Sequence, residues 1–302
     1  MILHQIEELY MSHLRVLCLA LPLLLPITTF ADVPLKHSKE YQIVLKNEAF
    51  VDIEQGKQTI IDWLQSIEDD PDYDFKYKSG TGSTFIRNVV RYDTSTGELS
   101  TSNLNLKIEQ FDDNGANTSK LKLKYSSMDP DASFDTTDYT RSFPYPANDY
   151  EDISKMKFEL DMHQNYSKFA LSGSMEIAGV ISYNTVGDAE HYFKRLDHVI
   201  GVSNSDALVH LDSYQEWVFD DIELKIADYP AEAAVVVRYA LSDLTQPIRV
   251  EFSLKMKRDG STWDYFAVVE LGQVYAEMLN NDLNVWKGLV KPNKFIIPAD
   301  QD

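Results

Sequence analysis

The sequence has only one cysteine, and this scarcity excludes several kinds of site. Cys18 lies inside an apolar run near the N-terminus. A chain that loses this run has no disulfide, no thiolate metal site and no cysteine nucleophile. The motifs GxGxxG, GxxxxGK[ST] and GxSxG are also missing. Their absence argues against a Rossmann cofactor site, a P-loop and an α/β-hydrolase.

Positive charge is also in short supply. The chain has 28 Lys and Arg residues against 48 Asp and Glu residues, which gives a formal net charge of -20. Such a protein repels nucleic acid and anionic membrane surfaces at long range, so we expect no nucleic-acid partner. The histidines show no spacing typical of a metal site, and His191 and His198 are interpreted as surface positions on one helix.

The N-terminus resembles an export signal. The stretch from Met11 to Ala31 contains Arg15, an apolar run and a small-residue cleavage site that ends at Ala31. The run is short for a membrane span and contains two prolines. We therefore predict a signal over residues 1–31, with translation starting at Met11, and a periplasmic or secreted chain without stable membrane insertion. An uncleaved anchor is the alternative.

Residues 32–302 have the pattern of one α+β domain. Alternating apolar and polar residues predict strands over 41–46, 85–93, 104–111, 120–125, 155–163, 168–177, 216–227, 233–242 and 248–257. Period 3.6 predicts helices over 56–69, from Asp188 to about Ile200, and from about Val269 to Trp286. Asn114-Gly115 predicts a hairpin. Residues 126–152 are predicted to be an acidic, solvated insertion loop.

The polar faces of these strands carry charges of both signs. In KMKFELDMH (155–163), Lys157, Glu159 and Asp161 alternate with apolar residues, and Lys120, Lys122 and Lys124 share one face of another strand. An antiparallel sheet with one face in water normally alternates in this way. The other interpretation is a closed barrel with a polar interior, in which Lys and Arg bind phosphoryl oxygens and carboxylates hold Mg²⁺ or Mn²⁺.

Several of these stretches together resemble the CYTH superfamily, the triphosphate tunnel fold. They are VRYDTSTGELSTSNLNLKI (90–108), SKLKLKY followed by KMKFELDM, and RVEFSLKMK (249–257). With YQIVLK (41–46) as the first strand, the resemblance covers most of residues 40–285. It implies an antiparallel tunnel of eight strands with flanking helices, which binds a triphosphate or polyphosphate with a divalent metal ion.

The resemblance also implies roles for individual residues. The expected phosphate-binding residues are Lys46, Lys107, Lys122, Lys124, Lys157 and Lys255, to which we add the strand residues Arg91 and Arg249. The expected metal ligands are Glu159, Asp161 and Glu251, with Glu159 and Glu251 also as catalytic carboxylates. The first strand departs from the Glu-x-Glu-x-Lys pattern of the family, because Gln42 and Val44 stand at its two carboxylate positions and only Lys46 matches.

Three hypotheses follow for function. The chain is a metal-dependent triphosphatase, or a binding module of the same fold that takes a polyanion without turnover, or a lipid or lipoprotein carrier built on a cupped antiparallel sheet. The direction of the charged strand faces discriminates between them. Convergence of Lys122, Lys157 and Lys255 favours the first two hypotheses, and divergence into solvent favours the third.

Overall fold

The computed structural model describes residues 36–113, 116–128, 145–146, 157–163, 166–257 and 265–284. The predicted signal at 1–31 and most of the predicted insertion at 126–152 lie outside these residues. Within the described residues, no helix combines the length and the apolar character needed to cross a membrane.

Long β-strands make up most of the described chain. The strands are β1 (Lys36–Leu45), β2 (Phe75–Tyr77), β3 (Ser83–Thr94), β4 (Leu104–Asp113), β5 (Ala116–Ser127), β6 (Tyr145–Pro146), β7 (Lys157–His163), β8 (Ser167–Ala178), β9 (Phe193–Lys194), β10 (Leu208–Ile226), β11 (Tyr229–Ala240) and β12 (Asp243–Lys257). All nine strands predicted from the alternation are present, with longer bounds at most ends. The short strands β2, β6 and β9 were not predicted.

Nine of these strands close into a barrel. The order around it is β11-β12-β1-β7-β8-β5-β4-β3-β10, and pairing of β10 with β11 completes the circle. The predicted hairpin is confirmed by the pairing of β4 with β5, which continues to Asp113 and Ala116. β2 adds to the outer edge of β10, and β6 pairs with β9 in a separate two-stranded sheet.

The expectation of an eight-stranded, wholly antiparallel tunnel is wrong in two details. The barrel has nine strands, and β1 runs parallel to β7, with Lys36 beside Lys157 and Gln42 beside His163. The other side of β1 pairs antiparallel with β12. Two parallel neighbours cannot be joined by a tight turn and need a long connection. Here the connection from β1 to β7 contains three other strands of the barrel, β3, β4 and β5.

Helices cover the outside of the barrel. They are α1 (Ile53–Glu68), α2 (Glu98–Thr101), α3 (Val186–Glu190), α4 (Leu196–Ile200) and α5 (Tyr265–Asn280), and a 3₁₀ turn spans Asn47–Phe50. The predicted stripe on α1 was Ile60, Ile61, Leu64 and Ile67, and all but the half-buried Ile61 are buried. The cap residue Asp52 accepts a hydrogen bond of 3.0 Å from the Gln55 backbone amide, which satisfies one free donor of the first turn.

Two apolar clusters attach these helices to the barrel. In the first, outward side chains of β1, β11 and β12 pack against α1 and α5, and Trp63 meets the ring of Phe252 edge-on at 5.2 Å. In the second, outward side chains of β4, β5 and β8 pack against α2, α3 and α4. The outer wall of the barrel is therefore its hydrophobic core, and the opposite strand faces remain for polar side chains.

The predicted helix from Asp188 to Ile200 is two short helices with a strand between them. Arg195 adopts a left-handed backbone conformation, with φ of 71°, and β9 pairs with β6 just before it. The predicted stop at Gly201 is confirmed, since its φ of 70° suits glycine. The last helix starts and ends earlier than expected, at Tyr265 and Asn280, and Trp286 lies outside the described residues.

Candidate functional site

The charged strand faces line the interior of the barrel. Lys124 on β5 pairs with Asp161 on β7 at 2.7 Å, although β8 lies between these strands. Lys255 on β12 likewise contacts Glu159 on β7 across β1. Contacts that pass over an intervening strand form on a concave face, and helices occupy the opposite face. The charged side of β7 (Lys157–His163) therefore faces inward.

Three carboxylates form a cluster at one side of this lumen. Glu40 on β1 and Glu159 and Asp161 on β7 each place one oxygen within 4.8 Å of the others. Lys124 and Lys255 compensate them, and Lys255 lies 3.7 Å from Glu40. Asp161 is 1% exposed, and its Oδ1 finds no hydrogen-bond partner among the described residues. Clustered carboxylate oxygens are the ligands that Mg²⁺ and Mn²⁺ take, so these residues fit such an ion.

The two glutamates of this cluster differ in their proton affinity. Burial alone would raise the pKa of Glu159, but Lys124 and Lys255 outweigh it and lower the pKa to about 2. Burial raises the pKa of Glu40, which Lys255 opposes and the neighbouring Asp161 and Glu159 reinforce. Crowded carboxylates of this kind release their last proton more readily when a cation binds between them.

A second cluster gathers three cations around one carboxylate. Glu109 on β4 is fully buried, and its Oε1 lies 2.9 Å from Lys107 Nζ and 2.8 Å from Lys122 Nζ. Arg87 Nη1 donates to Glu109 Oε2 at 3.0 Å. Burial, followed by the nearby Lys107, lowers the pKa of Lys122 to about 7 despite the opposing carboxylate. Lys122 is therefore about half charged at neutral pH, and Arg87 is shared with Glu216. Together with Lys107 they still leave an excess of positive charge around Glu109, which makes this region of the lumen attractive to anions.

Alternating ion pairs continue from this cluster around the barrel wall. Arg87 Nε donates to Glu216 at 2.6 Å, and Arg238 Nε donates to the other oxygen of Glu216 at 2.9 Å. Arg238 also pairs with Glu251 at 2.9 Å, and Arg249 pairs with Glu251 at 2.8 Å. We call Arg87, Glu216, Arg238, Glu251 and Arg249 the arginine chain. Its members lie on β3, β10, β11 and β12.

His163 lies between the carboxylate cluster and the arginine chain. Its ring stacks on Tyr166 at 4.4 Å, and its buried Nε2 has no hydrogen-bond partner within the part of the chain that the structure describes. Burial, reinforced by Lys168, lowers the pKa of His163 from 6.5 to about 4, although Asp161 and Glu251 oppose the shift. The imidazole is therefore neutral at neutral pH. The sequence analysis did not predict His163 as a site residue, although its place in the alternation of β7 is the same as that of Asp161.

The structure gathers most of the predicted phosphate-binding residues. Lys107, Lys122, Lys124, Lys255 and Arg249 all lie in the lumen clusters. Arg91 pairs with Asp212 at 3.0 Å on the same wall. Lys157 is exposed but lies close enough to Glu159 to lower the pKa of that residue. Lys46 is exposed at the end of β1, outside these clusters.

The predicted metal ligands are divided between two places. Glu159 and Asp161 belong to the carboxylate cluster, whereas Glu251 lies between Arg238 and Arg249. Burial opposes the charge of Glu251, but these arginines lower its pKa to about 2. The roles of Glu251 and Glu159 as catalytic carboxylates stay predictions.

Sequence reasoning missed Glu40, the third carboxylate of the cluster. The expected first strand began at Tyr41, so the two carboxylate positions of the resembling pattern fell on Gln42 and Val44. The strand begins at Lys36, and Glu40 occupies the same face as Gln42, one position earlier in the alternation. The first strand thus keeps one inward carboxylate. The residues KEYQIVLK carried this signal, since Glu40 shares the period of Gln42 and Lys46.

Comparisons with known proteins give structural likenesses alone. No protein-family model and no curated protein matches the sequence. A candidate adenylyl cyclase from Hippeastrum, described as having a dominant triphosphatase activity, is 13% identical, with 79% of this chain and 86% of that chain covered and a TM-score of 0.42. A candidate adenylate cyclase from Bacillus halodurans is 10% identical, with 84% and 99% covered and a TM-score of 0.38.

A protein from Pyrococcus horikoshii is 10% identical, with 79% of this chain and 89% of that chain covered and a TM-score of 0.34. At these identities and TM-scores the likeness carries nothing about activity, and the function of this chain rests on its own side chains.

Proposed function

We propose that the barrel lumen binds a triphosphate or polyphosphate anion together with Mg²⁺ or Mn²⁺. One observation carries the proposal. Lys107, Lys122 and Arg87 converge within 3.0 Å of a single buried carboxylate, in the same lumen as a cluster of three carboxylates. Although the protein has a net charge of -20, it concentrates these cations at one interior place, where their positive charge attracts an anion that enters the barrel.

The two clusters have complementary roles in this proposal. Lys107, Lys122 and Arg87 supply charge-assisted hydrogen bonds to phosphoryl oxygens. Glu40, Glu159 and Asp161 would hold the divalent ion, which neutralises phosphate charge and polarises phosphorus when it is bound. Lys124 and Lys255 now balance these carboxylates, and they are free to turn to phosphate once a metal ion takes over that balance.

The pKa values of the lumen residues support binding more than turnover. A general base for water attack works best with a pKa near the operating pH. Glu159 and Glu251 both have a pKa of about 2, which makes them weak bases at neutral pH. His163, with a pKa of about 4, is also a weak base. The alternative of a lipid or lipoprotein carrier required the charged faces to point into solvent, and their inward direction argues against it.

Calorimetry with tripolyphosphate tests the proposal. We expect the full-length chain to bind tripolyphosphate with an affinity that rises when Mg²⁺ or Mn²⁺ is added. The double substitution Lys107→Ala/Lys122→Ala should abolish binding. A matched control is Lys78→Ala, which removes a lysine from an exposed ion pair with Glu223 on the outside. Equal binding by the parent and the double variant would sink the proposal. Phosphate release in the same samples shows whether binding leads to hydrolysis.

Export of the chain belongs to the same proposal and rests on the stretch from Met11 to Ala31. Cells that express the full-length gene should release a chain that begins at Asp32, and N-terminal sequencing of the extracytoplasmic fraction measures this. A chain that keeps residues 11–31 would show an uncleaved anchor instead.

A further inference from the structure

The buried carboxylate of Glu109 occupies the centre of the cation cluster. Its side chain has 0% exposure, while those of Lys107 and Lys122 have 24% and 28%. The lysines are therefore open to a ligand that enters the lumen, and the carboxylate is enclosed beneath them. Glu109 lies on the inward face of β4, two residues from Lys107 along the same strand.

The contacts of Glu109 are those that a phosphoryl group would make. Two ammonium groups share Oε1, at 2.9 and 2.8 Å, and a guanidinium donates to Oε2 at 3.0 Å. Both lysine distances are hydrogen-bond distances, but one carboxylate takes up only part of the N–H donors of the three side chains. A tetrahedral oxyanion with three or four oxygens can accept from more of these donors.

Protonation does not remove Glu109 from this position at ordinary pH. Burial favours the neutral acid, but Lys107, Lys122 and Arg87 outweigh it and hold the pKa of Glu109 well below its usual range. Glu109 therefore stays charged whenever a phosphate arrives. An anion that contacts the same three cations comes close to a carboxylate in a poorly solvated place, where like charges repel strongly.

We propose that Glu109 is an internal competitor for the anion site, so that removing its charge strengthens phosphate binding. This inference rests on the proposed function, since it concerns the regulation of the same site. Glu109 occupies the donors of the three cations, and an incoming polyanion must displace it or bind against it. A monophosphate gains too little from these cations to do so, whereas a chain of several phosphates also reaches Lys124 and Lys255. Glu109 thereby selects for longer polyanions.

The opposite role for Glu109 is that of a scaffold. In that case its carboxylate keeps Lys107, Lys122 and Arg87 from repelling one another, and without it the three side chains separate. The two roles predict opposite signs for a single measurement. Loss of the charge raises the affinity for phosphate if Glu109 competes, and lowers it if Glu109 only positions the cations.

The experiment is calorimetric titration of the full-length chain with tripolyphosphate and with inorganic phosphate, at one ionic strength. The variants are Glu109→Gln, which keeps the shape without the charge, and Glu109→Asp, which keeps the charge on a shorter side chain. Glu176→Gln is the matched control, because Glu176 pairs with Lys120 at 3.1 Å on the neighbouring wall, and this substitution changes the net charge equally. Circular dichroism checks the fold of each variant.

We expect Glu109→Gln to bind tripolyphosphate about tenfold more tightly than the parent, or better, and inorganic phosphate to become measurable. The affinity of Glu109→Asp for tripolyphosphate should lie between those of the parent and Glu109→Gln. If Glu109→Gln does not fold, the affinity of Glu109→Asp relative to the parent tests the competitor role. Unchanged or weaker binding by the Glu109 variants, with a parent that binds, overturns the competitor and leaves the proposed function standing. An equal gain in Glu176→Gln overturns it as well. Absence of binding by the parent and by every variant overturns the proposed function itself.

Discussion

In the arginine chain, each of the two carboxylates pairs with two guanidinium groups. Glu216 is the more buried of the two carboxylates in the arginine chain, with 1% exposure. It accepts hydrogen bonds from Arg87 and from Arg238. Such pairs cost desolvation energy when they form, so their net contribution is modest. Removing one partner is different, because it leaves the other charge buried and unmatched.

We therefore expect Glu216→Gln to lower the free energy of unfolding by about 3 kcal/mol, measured by urea denaturation. The comparison is Glu223→Gln, which removes a carboxylate from the exposed pair with Lys78 and should cost less than about 1 kcal/mol. Equal losses in the two variants would mean that the arginine chain is solvated rather than enclosed.

Asp161 provides a second residue-level prediction, for the metal. Mn²⁺ should raise the melting temperature of the full-length chain, and a chelator should reverse the rise, since an ion that binds only the folded state stabilises it. Asp161→Asn removes a ligand and should abolish the rise. Asp212→Asn, which changes a lumen carboxylate paired with Arg91 instead, should retain it. A rise of the same size in Asp161→Asn would place the ion elsewhere.

The residue-level content of the site could be predicted only in part from the sequence. Alternation alone assigned Lys107, Lys122, Lys124 and Lys255 to the polar faces of their strands, because period two fixes the face of every residue once a strand is placed. Whether these faces point into water or into a barrel stayed open. It did not indicate which carboxylate meets which lysine, since that depends on strands distant in sequence. Glu40 was missed because the strand was started at Tyr41, five residues after its actual beginning.

At the scale of elements, local signals decided where helices begin. Asp52 precedes α1 and caps it through the Gln55 amide. We expect Asp52→Ala to lower the free energy of unfolding by about 1 kcal/mol in urea denaturation. The control is Asp62→Ala on the exposed face of the same helix, where Asp62 accepts a hydrogen bond of 2.7 Å from the Gln58 side chain. This substitution should lower the free energy of unfolding by only about 0.3 kcal/mol. A larger loss at Asp62 than at Asp52 would contradict the cap.

Tertiary contacts decided the elements that the sequence did not predict. Residues 188–200 have a helical pattern, but pairing of β9 with β6 and the left-handed Arg195 divide them. The parallel contact of β1 with β7 has no local signature at all, because alternation describes the faces of a strand and not its neighbours. The expectation of an antiparallel tunnel failed for this reason.

For the whole molecule, the paired lumen carboxylates predict sensitivity to acid. The pKa of Glu251 falls from an ordinary 4.5 to about 2 on folding, and the pKa values of Glu109 and Glu216 are also lowered, because the arginines and lysines outweigh burial. The unfolded chain thus takes up these protons first as the pH falls. Their contribution to stability is complete above pH 4.5 and is lost toward pH 2.

We expect the free energy of unfolding to decline steadily over that interval, measured by urea denaturation at a series of pH values. Glu40 acts in the opposite direction, since its pKa is raised by burial, but it is one lumen carboxylate against four, because the pKa of Glu159 is also lowered. Glu251→Gln should flatten the decline. A stability that stays constant down to pH 2 would show that the lumen charges are solvated in the folded state.

The parallel placement of β1 also governs how the chain can reach its native state. β1 is the first strand of the described residues, yet one neighbour begins at Lys157 and the other ends at Lys257. Both flanks of β1 therefore stay unpaired until more than half of the 302 residues have been synthesised. Contacts so distant in sequence form slowly, and an open strand edge recruits other chains in the meantime. The yield of folded protein thus depends on the rate at which the barrel closes relative to the rate at which unfinished chains associate with one another.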